Sequence, residues 1–511
     1  MKRILTILLF FYIKSHAQFT LISPGDTNSN IVTNTTLNGG LELPKLTQTQ
    51  IQAITNPKTG TLVYDLDLNS LRFYNGNRWV STNETNFSLQ VGGVGQDSGN
   101  SIKFDKYGNL YILGTFSQNI DIGGNTLSSS GFTDIFIAKF NNVGNLMWAV
   151  KGGGNDEDYA SDFVVEDSGV LTITGYYFGN TTIGSTNVNS NGNSDIFVTQ
   201  ILSNGTFNWV QSIGGQMNDR STSISNDGNG NTYVAGFFNG TVNFNSVPSI
   251  TSLGNSDALY FKLDLGGSVL WANRFGGPSS DYCKSIVADS FGNIYVTGTF
   301  SGSATQGSIT LSNTNNNDYY YVAKGNPNGS LIWAKKGGGS GAFASGQELI
   351  LDSNGNVLTT GDFGGLVTFD GITINASGSS VLFIAKYNPN GVLQSVIPFG
   401  NSTGASPKRM SKDNYGNIFI TGFYSGSIQL GNKVFSSHGA TDIFILKLNS
   451  SSNPILLQCG GGIGLEIPND IATKEDGTTY IIGEFSNDMN LFGTRFIPFS
   501  SNLDCFVIKV F

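Results

Sequence analysis

Histidine and cysteine are both scarce in this sequence. Two histidines are present among 511 residues, and cleavage of the leader described below removes one of them and leaves His438. A histidine-ligated zinc site and a Ser/His/Asp triad are therefore close to excluded. The three cysteines, which include Cys283, are too few and too scattered for a disulfide framework. We expect reduced, buried thiols, with a bridge between Cys459 and Cys505 as the alternative.

Long apolar runs are missing as well. The apolar run at residues 4–13 follows Lys2 and Arg3 and precedes a small-residue site ending at Ala17, which is the pattern of a secretory signal peptide. This run is too short for the ~20 apolar residues that cross a bilayer, and no later stretch approaches that length. We therefore expect a secreted or extracytoplasmic protein, in the periplasm or at the cell surface, that is not membrane-spanning.

Charged residues make up only 12% of the chain. Loss of the leader removes Lys2, Arg3 and Lys14 and no acid, so the formal net charge changes from −9 to −12. A chain this acidic is poorly suited to the phosphate backbone of nucleic acids. We therefore expect no nucleic-acid partner.

Glycine is abundant, with 67 residues, and Asn, Ser and Thr separate short runs of Val, Ile, Phe and Tyr. The segment at residues 289–300, Asp-Ser-Phe-Gly-Asn-Ile-Tyr-Val-Thr-Gly-Thr-Phe, occurs in seven similar copies, whose strand glycines follow one another in steps of 61, 61, 62, 63, 61 and 61 residues. So regular a period indicates an array of like β units. The strand glycines are Gly114, Gly175, Gly236, Gly298, Gly361, Gly422 and Gly483.

Each repeat divides into four predicted strands. In the fourth repeat they lie at residues 281–288, 293–300, 318–324 and 330–336, joined in pairs by tight turns. The second strand is apolar or β-branched on both faces, so it needs cover on both sides, and a radial ring of sheets provides that cover. Gly298 then marks a point where the adjacent sheet comes too close for a side chain.

The last repeat reaches Phe511 at the end of its third strand. Residues 86–93 align with the outer strands of the other repeats, and Phe87 takes the position of Trp271. The predicted fold is therefore all-β: a seven-bladed β-propeller of four-stranded blades, whose last blade is closed by the N-terminal strand of the domain. Four outer-strand tryptophans are expected to anchor neighbouring sheets: Trp148, Trp209, Trp271 and Trp333.

The repeats resemble the bacterial seven-bladed beta-propeller repeat family, whose units carry the patterns D..GN.Y.TG.F, DIF..K and G...W....GG. The resemblance covers residues 83–511 and implies an exported bacterial repeat protein. A fold by itself does not identify a function. The predicted domains are a signal peptide at 1–17, a flexible polar lead-in at 18–40, a small stalk-like segment at 41–82 and the propeller at 83–511.

The segment before the repeats contains a helical pattern at residues 47–54 and two alternating strands at 62–66 and 71–74, which predicts a small α/β hairpin. Its phrases LPKLT, TGTLVYD and FYNGNRW resemble stalk or tail-fibre-like segments of exported bacterial proteins. That resemblance implies an oligomer formed through this segment. The alternative is a small hairpin packed against the main domain.

Five acids recur at the start of the predicted inner strands, while repeats five and six have Ala344 and Ala405 there. The length of the strand places them at one mouth of the central channel, opposite the turns. We predict that they bind a ligand beside Lys408 and Arg409, with calcium as a candidate cation; the alternative is five separate hydrogen-bonded caps. The five acids are Asp97, Asp158, Asp219, Asp281 and Glu466.

Two further sets of acids are predicted to be structural. The aspartate of each Asp-x-x-Gly-Asn turn is expected to cap that turn, because a calcium loop needs several carboxylates and each turn has one. The second set opens the third strands and is expected to satisfy loop amides. Its members are Asp134, Asp195, Asp257, Asp318, Asp442 and Asp504.

The long inserts between second and third strands lie on the face of the five acids and contain short alternating pairs, so we expect ordered hairpins that vary between repeats and carry recognition. We favour an exported, non-catalytic binding or scaffold protein that presents this face to a protein or glycan partner. One alternative is a polysaccharide-acting enzyme with two mouth carboxylates as acid and base, for which the sole local cluster is residues 156–158. The other is a fibre-like structural or adhesion component.

Overall fold

The computed structural model describes residues 43–47, 50–51, 53–66, 70–74, 79–81, 87–313, 317–376, 380–400 and 404–511. The predicted signal peptide and polar lead-in lie outside these residues. The chain divides into two units, Met1–Asn86 and Phe87–Phe511. No helix in the described part of the chain has the length and hydropathy required to span a membrane.

The N-terminal unit is a four-stranded β-sheet. Its strands, in spatial order, are Lys45–Leu46, Leu62–Asp65, Ser70–Tyr74 and Trp79–Ser81, with the first pair parallel and the others antiparallel. The described residues between the first two strands include short turns, one of them closed where the Ile51 N–H donates to the Thr47 carbonyl and another where the Thr61 N–H donates to the Lys58 carbonyl. The predicted α/β hairpin is therefore not supported, because the unit gains its order from a fourth strand and a parallel pairing that a hairpin pattern does not reveal.

The repeats form seven antiparallel ladders, here called sheets 1 to 7, each in the order inner, second, third, outer. The inner strands are Asp97–Phe104, Asp158–Val165, Asp219–Asn226, Tyr282–Ala288, Phe343–Leu351, Ala405–Lys412 and Glu466–Thr473. The second strands are Leu110–Phe116, Leu171–Ile183, Thr232–Phe238, Ile294–Phe300, Val357–Gly364, Ile418–Tyr424 and Thr479–Phe485. The third strands are Asp134–Phe140, Thr186–Ile201, Asp257–Leu263, Tyr319–Gly325, Val381–Tyr387, Asp442–Leu448 and Asp504–Lys509.

The outer strands complete these ladders. Six follow their third strands in the chain, whereas the outer strand of sheet 7 is Ser88–Gly93, which pairs with Asp504–Lys509 in the register Val91 opposite Cys505. None of the described sheets closes on itself. The outer strands of sheets 1 to 6 are Leu146–Gly154, Phe207–Ile213, Val269–Phe275, Leu331–Gly338, Leu393–Phe399 and Pro454–Gly462.

Consecutive sheets pack face to face around seven clusters of buried side chains. Each cluster draws residues from two consecutive sheets, and one joins sheet 7 to sheet 1 through Ile482, Cys505 and Ile102. Likewise each inner strand contacts the next, and that of sheet 7 contacts that of sheet 1. The second strand Leu110–Phe116 is buried along its whole length, as its two apolar faces predict.

The outer-strand tryptophans join neighbouring sheets, as predicted. The indole N–H of Trp271 donates to the Pro327 carbonyl in the next sheet, and its ring lies against Gly329, whose φ of +77° and lack of a Cβ allow the contact. Phe87 packs in the same way against Gly144 of sheet 1. The equivalent indole N–H bonds run from Trp148 to Ser203, from Trp209 to Leu265 and from Trp333 to Pro389.

The strand glycine serves a different purpose from the one predicted. A Cβ on Gly298 would come within 2.0 Å of the Tyr282 carbonyl oxygen, which belongs to the inner strand of the same sheet and not to the adjacent sheet. The cause is a β-bulge between Cys283 and Ser285, which pushes the inner strand toward its partner. All seven inner strands carry this bulge.

The inserts are ordered hairpins, as predicted. In six repeats the hairpin pairs with the end of the preceding outer strand, for example where Gly337 and Gly338 pair with Phe369 and Thr368. In sheet 2 the hairpin simply prolongs the second and third strands. The separate hairpins are Asn119–Ile122 with Asn125–Ser128, Thr241–Val242 with Ile250–Thr251, Ser303–Gln306 with Ile309–Ser312, Leu366–Phe369 with Ile372–Asn375, Ser427–Leu430 with Lys433–Ser436, and Met489–Leu491 with Thr494–Phe496.

All three cysteines are free. Cys283 and Cys505 are buried, as expected for reduced thiols in an apolar interior, and Cys459 is half-buried. The alternative of a bridge between Cys459 and Cys505 is therefore not realised in this structure.

Candidate functional site

The five predicted acids are buried at the ends of the inner strands. Each is at most 2% exposed. Each accepts a hydrogen bond from the backbone N–H of the glycine four residues before it, as between Asp219 and Gly215 at 2.7 Å. Their side chains therefore hold the loop that leads from one sheet to the next. The other pairs are Asp97 with Gly93, Asp158 with Gly154, Asp281 with Gly277 and Glu466 with Gly462.

Each of these acids faces a second buried acid from the third strand of the preceding sheet. Asp219 interacts with Asp195, and Asp97 of sheet 1 interacts in the same way with Asp504 of sheet 7. Burial, reinforced by repulsion from the partner, raises the pKa of Asp219 to about 8 and that of Asp97 to about 7. Five of the six third-strand acids accept loop N–H groups, as predicted; Asp134, for example, accepts that of Ser130 at 2.9 Å, whereas Asp318 accepts the Ser301 hydroxyl. The remaining pairs are Asp158 with Asp134, Asp281 with Asp257 and Glu466 with Asp442.

The raised pKa values predict a protein that loses stability as the pH rises. Because the native pKa of Asp219 is about 8 and an unfolded aspartate has a pKa of ~3.9, the native state binds an extra proton between these values. Its stabilising contribution is complete below ~pH 4 and is lost as the pH rises through about 8. We expect Asp219→Asn, which keeps a neutral acceptor for Gly215, to flatten the fall in thermal midpoint between about pH 5 and pH 8.

Thermal unfolding at a series of pH values measures this effect. The matched control is Asp167→Asn, because the Asp167 side chain is 86% exposed. The thermal midpoint of that variant should depend on pH as that of the unchanged protein does. If the thermal midpoint depends on pH equally in Asp219→Asn and in the unchanged protein, the Asp195–Asp219 pair does not hold the extra proton.

The repeated turns are closed by their own aspartates. In the fourth repeat Asp289 Oδ1 accepts the N–H groups of Phe291 and Asn293, and Gly292 has a φ of +81°. Asp105, Asp227, Asp352 and Asp413 act in the same way. Repeats two and seven differ from the prediction, because their turns close on the carbonyls of Glu166 and Lys474, one residue before Asp167 and Glu475.

A metal site needs several ligand side chains close together. Within the described ranges no three or more His, Cys, Asp or Glu side chains form a group that could hold a metal ion. Calcium binding therefore stays a prediction.

The residues immediately after the inner-strand bulges meet along the axis between the sheets. We call them the axial cluster, together with Lys103. A bulge turns its strand and redirects the following side chain, which explains why these positions reach one another. They are Ser101, Asp162, Ser223, Ser285, Glu348, Arg409 and Asp470.

Arg409 of sheet 6 reaches across this axis. Its guanidinium donates to Glu348 Oε2 at 2.5 Å and to the Thr222 carbonyl of sheet 3 at 3.3 Å. Its Nη2 also lies 3.9 Å from Asp162 Oδ2 of sheet 2. In the described chain no hydrogen bond or ion pair joins Arg409 or Lys408 to the five predicted acids. The sequence placed Lys408 and Arg409 beside these acids because the register of a bulged strand is not visible in the sequence.

The other half of the axial cluster centres on Lys103. Its Nζ lies 2.5 Å from Asp470 Oδ2 and 3.5 Å from Asp162 Oδ1. Burial opposes ionisation of Asp162, but Lys103 and Arg409 outweigh it and hold the pKa of that carboxyl below its ordinary value. Two cations and three carboxylates thus satisfy one another, and the cluster fills the axis as an internal ionic core.

A different set of residues lies beside the five acids, at the insert-hairpin end of the inner and second strands. These residues are half-buried. We call them the mouth. They are Tyr159, Tyr176, Arg220, Phe237, Tyr282, Lys284, Asp362, Lys408, Phe423 and Glu484.

Aromatic rings occupy the side of the mouth formed by sheets 2, 3 and 4. Tyr159 and Tyr176 are cross-strand neighbours and stack with their centroids 5.0 Å apart and an interplanar angle of 24°. Phe237 and Tyr282 meet edge to face at 5.1 Å across the junction of sheets 3 and 4. The burial of Tyr159, with a hydrogen bond to Glu157, raises its pKa to about 12, so its hydroxyl is neutral.

Three cations lie on these and neighbouring rings. Arg220 is 4.6 Å from the centroid of the Tyr176 ring, Lys284 is 5.3 Å from that of Tyr282, and Lys408 is 5.5 Å from that of Phe423. Burial lowers the pKa of both lysines. Asp362 and Glu484 share the mouth, and burial raises their pKa values. Within the described chain no salt bridge involves any of the three cations.

Of the mouth residues, Lys408 was predicted from the sequence and the others were missed, although a signal was present. The position after each inner-strand acid changes from repeat to repeat, as Ser98, Tyr159, Arg220 and Tyr282 illustrate, whereas the acid itself is repeated. Residues that maintain a repeat recur in it, so those that depart from it are candidates for recognition. Comparing the repeats position by position would have selected these residues.

Several solved structures are similar to this chain in fold. The WD40 domain of Pan2 from Neurospora crassa is 12% identical, over 80% of this chain and 88% of that domain, with a TM-score of 0.40. A polysaccharide lyase PL25 ulvan lyase is 12% identical, over 81% and 96%, with a TM-score of 0.40. Likenesses this distant bear on the fold alone.

One curated relative is the uncharacterized WD repeat-containing protein L264 of Acanthamoeba polyphaga mimivirus. It is 26% identical over 332 residues, which are 52% of this chain and 24% of the relative. The chain thus matches about a quarter of that protein's length. A WD-repeat or propeller fold supports a scaffold or binding role.

Two family models match the chain. The model described as a phage tail like trimerisation region matches residues 24–96, and the beta-propeller repeat model matches residues 270–299, within sheet 4 and the strand before it. Both resemblances drawn from the sequence are thereby confirmed: a β-propeller repeat within the repetitive body and a phage tail-like trimerisation region at the N-terminus.

Proposed function

We propose that this protein is an exported, non-catalytic binding or scaffold protein that presents the mouth and its insert hairpins to a protein or glycan partner. The observation that carries this proposal is the departure of the mouth from an otherwise uniform repeat. A repeat maintained only for its own packing needs no stacked tyrosines at one end. Half-buried aromatic and cationic side chains are the groups that recur at recognition surfaces.

The proposed scaffold is a closed seven-bladed β-propeller, with Ser88–Gly93 as the last strand of its seventh blade. Three observations support it: the pairing of that strand with Asp504–Lys509, the cyclic order of inner-strand contacts, and the apolar cluster shared by sheets 7 and 1. Arg409 adds a fourth, since its contacts with Thr222 and Asp162 need sheets 2, 3 and 6 around one axis. Closure removes the free sheet edges.

The N-terminal region is proposed to join three such propellers. Its support is the match of residues 24–96 to a trimerisation region. Three propellers on one stalk would raise the effective concentration of each mouth for a repetitive ligand. Export is proposed from the leader at residues 1–17, and the same architecture suits a fibre-like adhesion component as the alternative.

Catalysis by the five acids is a weaker proposal. Their carboxyls are at most 2% exposed and are engaged with glycine N–H groups. A general acid must come within hydrogen-bond reach of the group that it protonates. Buried capping carboxyls do not offer that reach, which supports binding without turnover.

Arrays of immobilised glycans and proteins test the proposed role. We expect the full chain to bind at least one ligand saturably and to release neither reducing ends nor unsaturated products from glycans. Saturable binding should weaken when the mouth is altered by Tyr159→Ala, whereas Tyr107→Ala, on an exposed turn at the other end of the strands, should leave it unchanged. Product formation, or equal binding by both variants, would contradict the proposal.

Light scattering on the same sample reports the assembly. A mass about three times that of one chain is expected from the trimerisation region. A monomeric mass would contradict the proposed trimer without affecting the proposed binding role.

A further inference from the structure

The mouth gathers three cations at one end of the sheets. Lys103 and Arg409 in the axial cluster, and Arg274 and Lys151 near the third-strand acids, all have carboxylate partners. Among the described residues, Arg220, Lys284 and Lys408 have no carboxylate within salt-bridge distance and lie against aromatic rings instead. Asp362 attracts Lys284 and Lys408, and Glu484 attracts Lys408, but these acids lie beyond salt-bridge distance, so an external anion can still pair directly with each cation.

Building on the proposed binding role, we propose that the mouth binds an acidic oligosaccharide whose carboxylates pair with Arg220, Lys284 and Lys408. The guanidinium of Arg220 has the fork geometry that matches a carboxylate. Asp362 and Glu484 stand among these cations, and burial favours the neutral form of both acids.

The aromatic residues identify the rest of the ligand. The tyrosine pair Tyr159 and Tyr176, with Phe178 edge-on to Tyr176 at 6.3 Å, lies on one side of Arg220. Phe237 and Tyr282 lie on the other side. Flat rings on both sides of a cation suit the C–H faces of sugar rings that carry a carboxylate between them.

Polar groups at the bulge positions suit hydroxyls. Asn100 Oδ1 is buried and has no hydrogen-bond partner among the described residues. The amide of Asn469 donates to the Gly99 carbonyl, and that of Gln347 lies 3.3 Å from Asp362 Oδ1. Sugar hydroxyls, which both donate and accept, can satisfy such amides.

An acidic peptide would meet the same cations, but the other features favour a carbohydrate. A peptide gains affinity by pairing its backbone with a sheet edge. The inner strands are interrupted at this end by bulges, such as those at Lys284 and Lys408, which break the edge that a peptide would need. Binding of a carbohydrate by aromatic rings and side-chain amides requires no free sheet edge.

Isothermal titration of the full chain tests this inference. The probes are an oligogalacturonate, its fully methyl-esterified form and an oligoglutamate of equal charge. We expect the oligogalacturonate to bind, the esterified form to bind at least tenfold more weakly, and Arg220→Gln and Lys408→Gln each to weaken binding about tenfold or more. The matched control is Lys324→Gln, since Lys324 lies 5.1 Å from the centroid of the Tyr295 ring at the opposite end of the sheet. It should not change the affinity.

Each other outcome overturns the inference. Equal affinity for the oligogalacturonate and its esterified form would show that the ligand carboxylates do not pair with the cations. Tighter binding of the oligoglutamate than of the oligogalacturonate would indicate a peptide ligand. Unchanged affinity in Arg220→Gln and Lys408→Gln, with thermal midpoints confirming that both fold, places the ligand elsewhere. Absence of binding to all three probes also overturns it, whereas the proposed binding role is tested separately by the glycan and protein arrays.

Discussion

Arg409→Ala is expected to lower the free energy of unfolding by about 3 to 5 kcal/mol, the usual cost of leaving a buried charge without its partner. The side chains of Arg409 and Glu348 are only 16% and 10% exposed, so solvent screens their ion pair little. Without the guanidinium, Glu348 loses its cationic partner, and Lys103 is the cation that remains beside Asp162. Chemical denaturation followed by tryptophan fluorescence measures the loss.

The matched control is Arg495→Ala. Arg495 also pairs with a carboxylate, Asp488, but the two side chains are 67% and 49% exposed, and an exposed pair contributes ~0–1 kcal/mol. Adding Glu348→Gln to Arg409→Ala should restore part of the lost stability, because the unpaired charge is then removed. Equal effects of Arg409→Ala and Arg495→Ala would show that the axial cluster does not hold the sheets together.

Val91→Asp is expected to destabilise the protein by about 3 kcal/mol or more, because it places an unpaired charge in an apolar cluster. Val91 is fully buried opposite Cys505, among residues of sheets 7 and 1. Loss of the strand Ser88–Gly93 would free the edge of Asp504–Lys509, so we also expect aggregation during unfolding. Thermal unfolding with simultaneous light scattering records both effects.

Ser88→Asp provides the control for Val91→Asp. Ser88 belongs to the same strand and receives the same aspartate, but it is exposed. It should change the thermal midpoint little, since surface substitutions are usually within ~0.5 kcal/mol. If both variants behave alike, the N-terminal strand does not complete sheet 7.

Much of the local structure was predictable because strand and turn signals are local. The third strand of the fourth repeat was predicted at 318–324 and lies at Tyr319–Gly325. The pairing of residues 88–93 with sheet 7 was predicted by aligning Phe87 with Trp271, since both precede the same pattern. The α/β character of the N-terminal segment was not supported, because a short helical pattern is easily overridden by strand pairing.

The candidate site was predicted less well. Asp219 and its counterparts were correctly placed at the ends of the inner strands, but their burial and their acid partners depend on the preceding sheet. The bulge before Arg409 was not visible either, since one extra residue changes the face on which every later side chain lies. Whether any of these residues binds a ligand stays a prediction.

The sequence by itself determined the number of repeats, their strands and the turns that close them, because each depends on residues close together in the chain. Only the tertiary structure decided which side chains meet between repeats. Arg409 and Thr222 are 187 residues apart, yet they share a hydrogen bond. Such contacts follow from the packing of whole sheets against one another, in which the position of a bulge, and not the local pattern of residues, selects the partner of each charge.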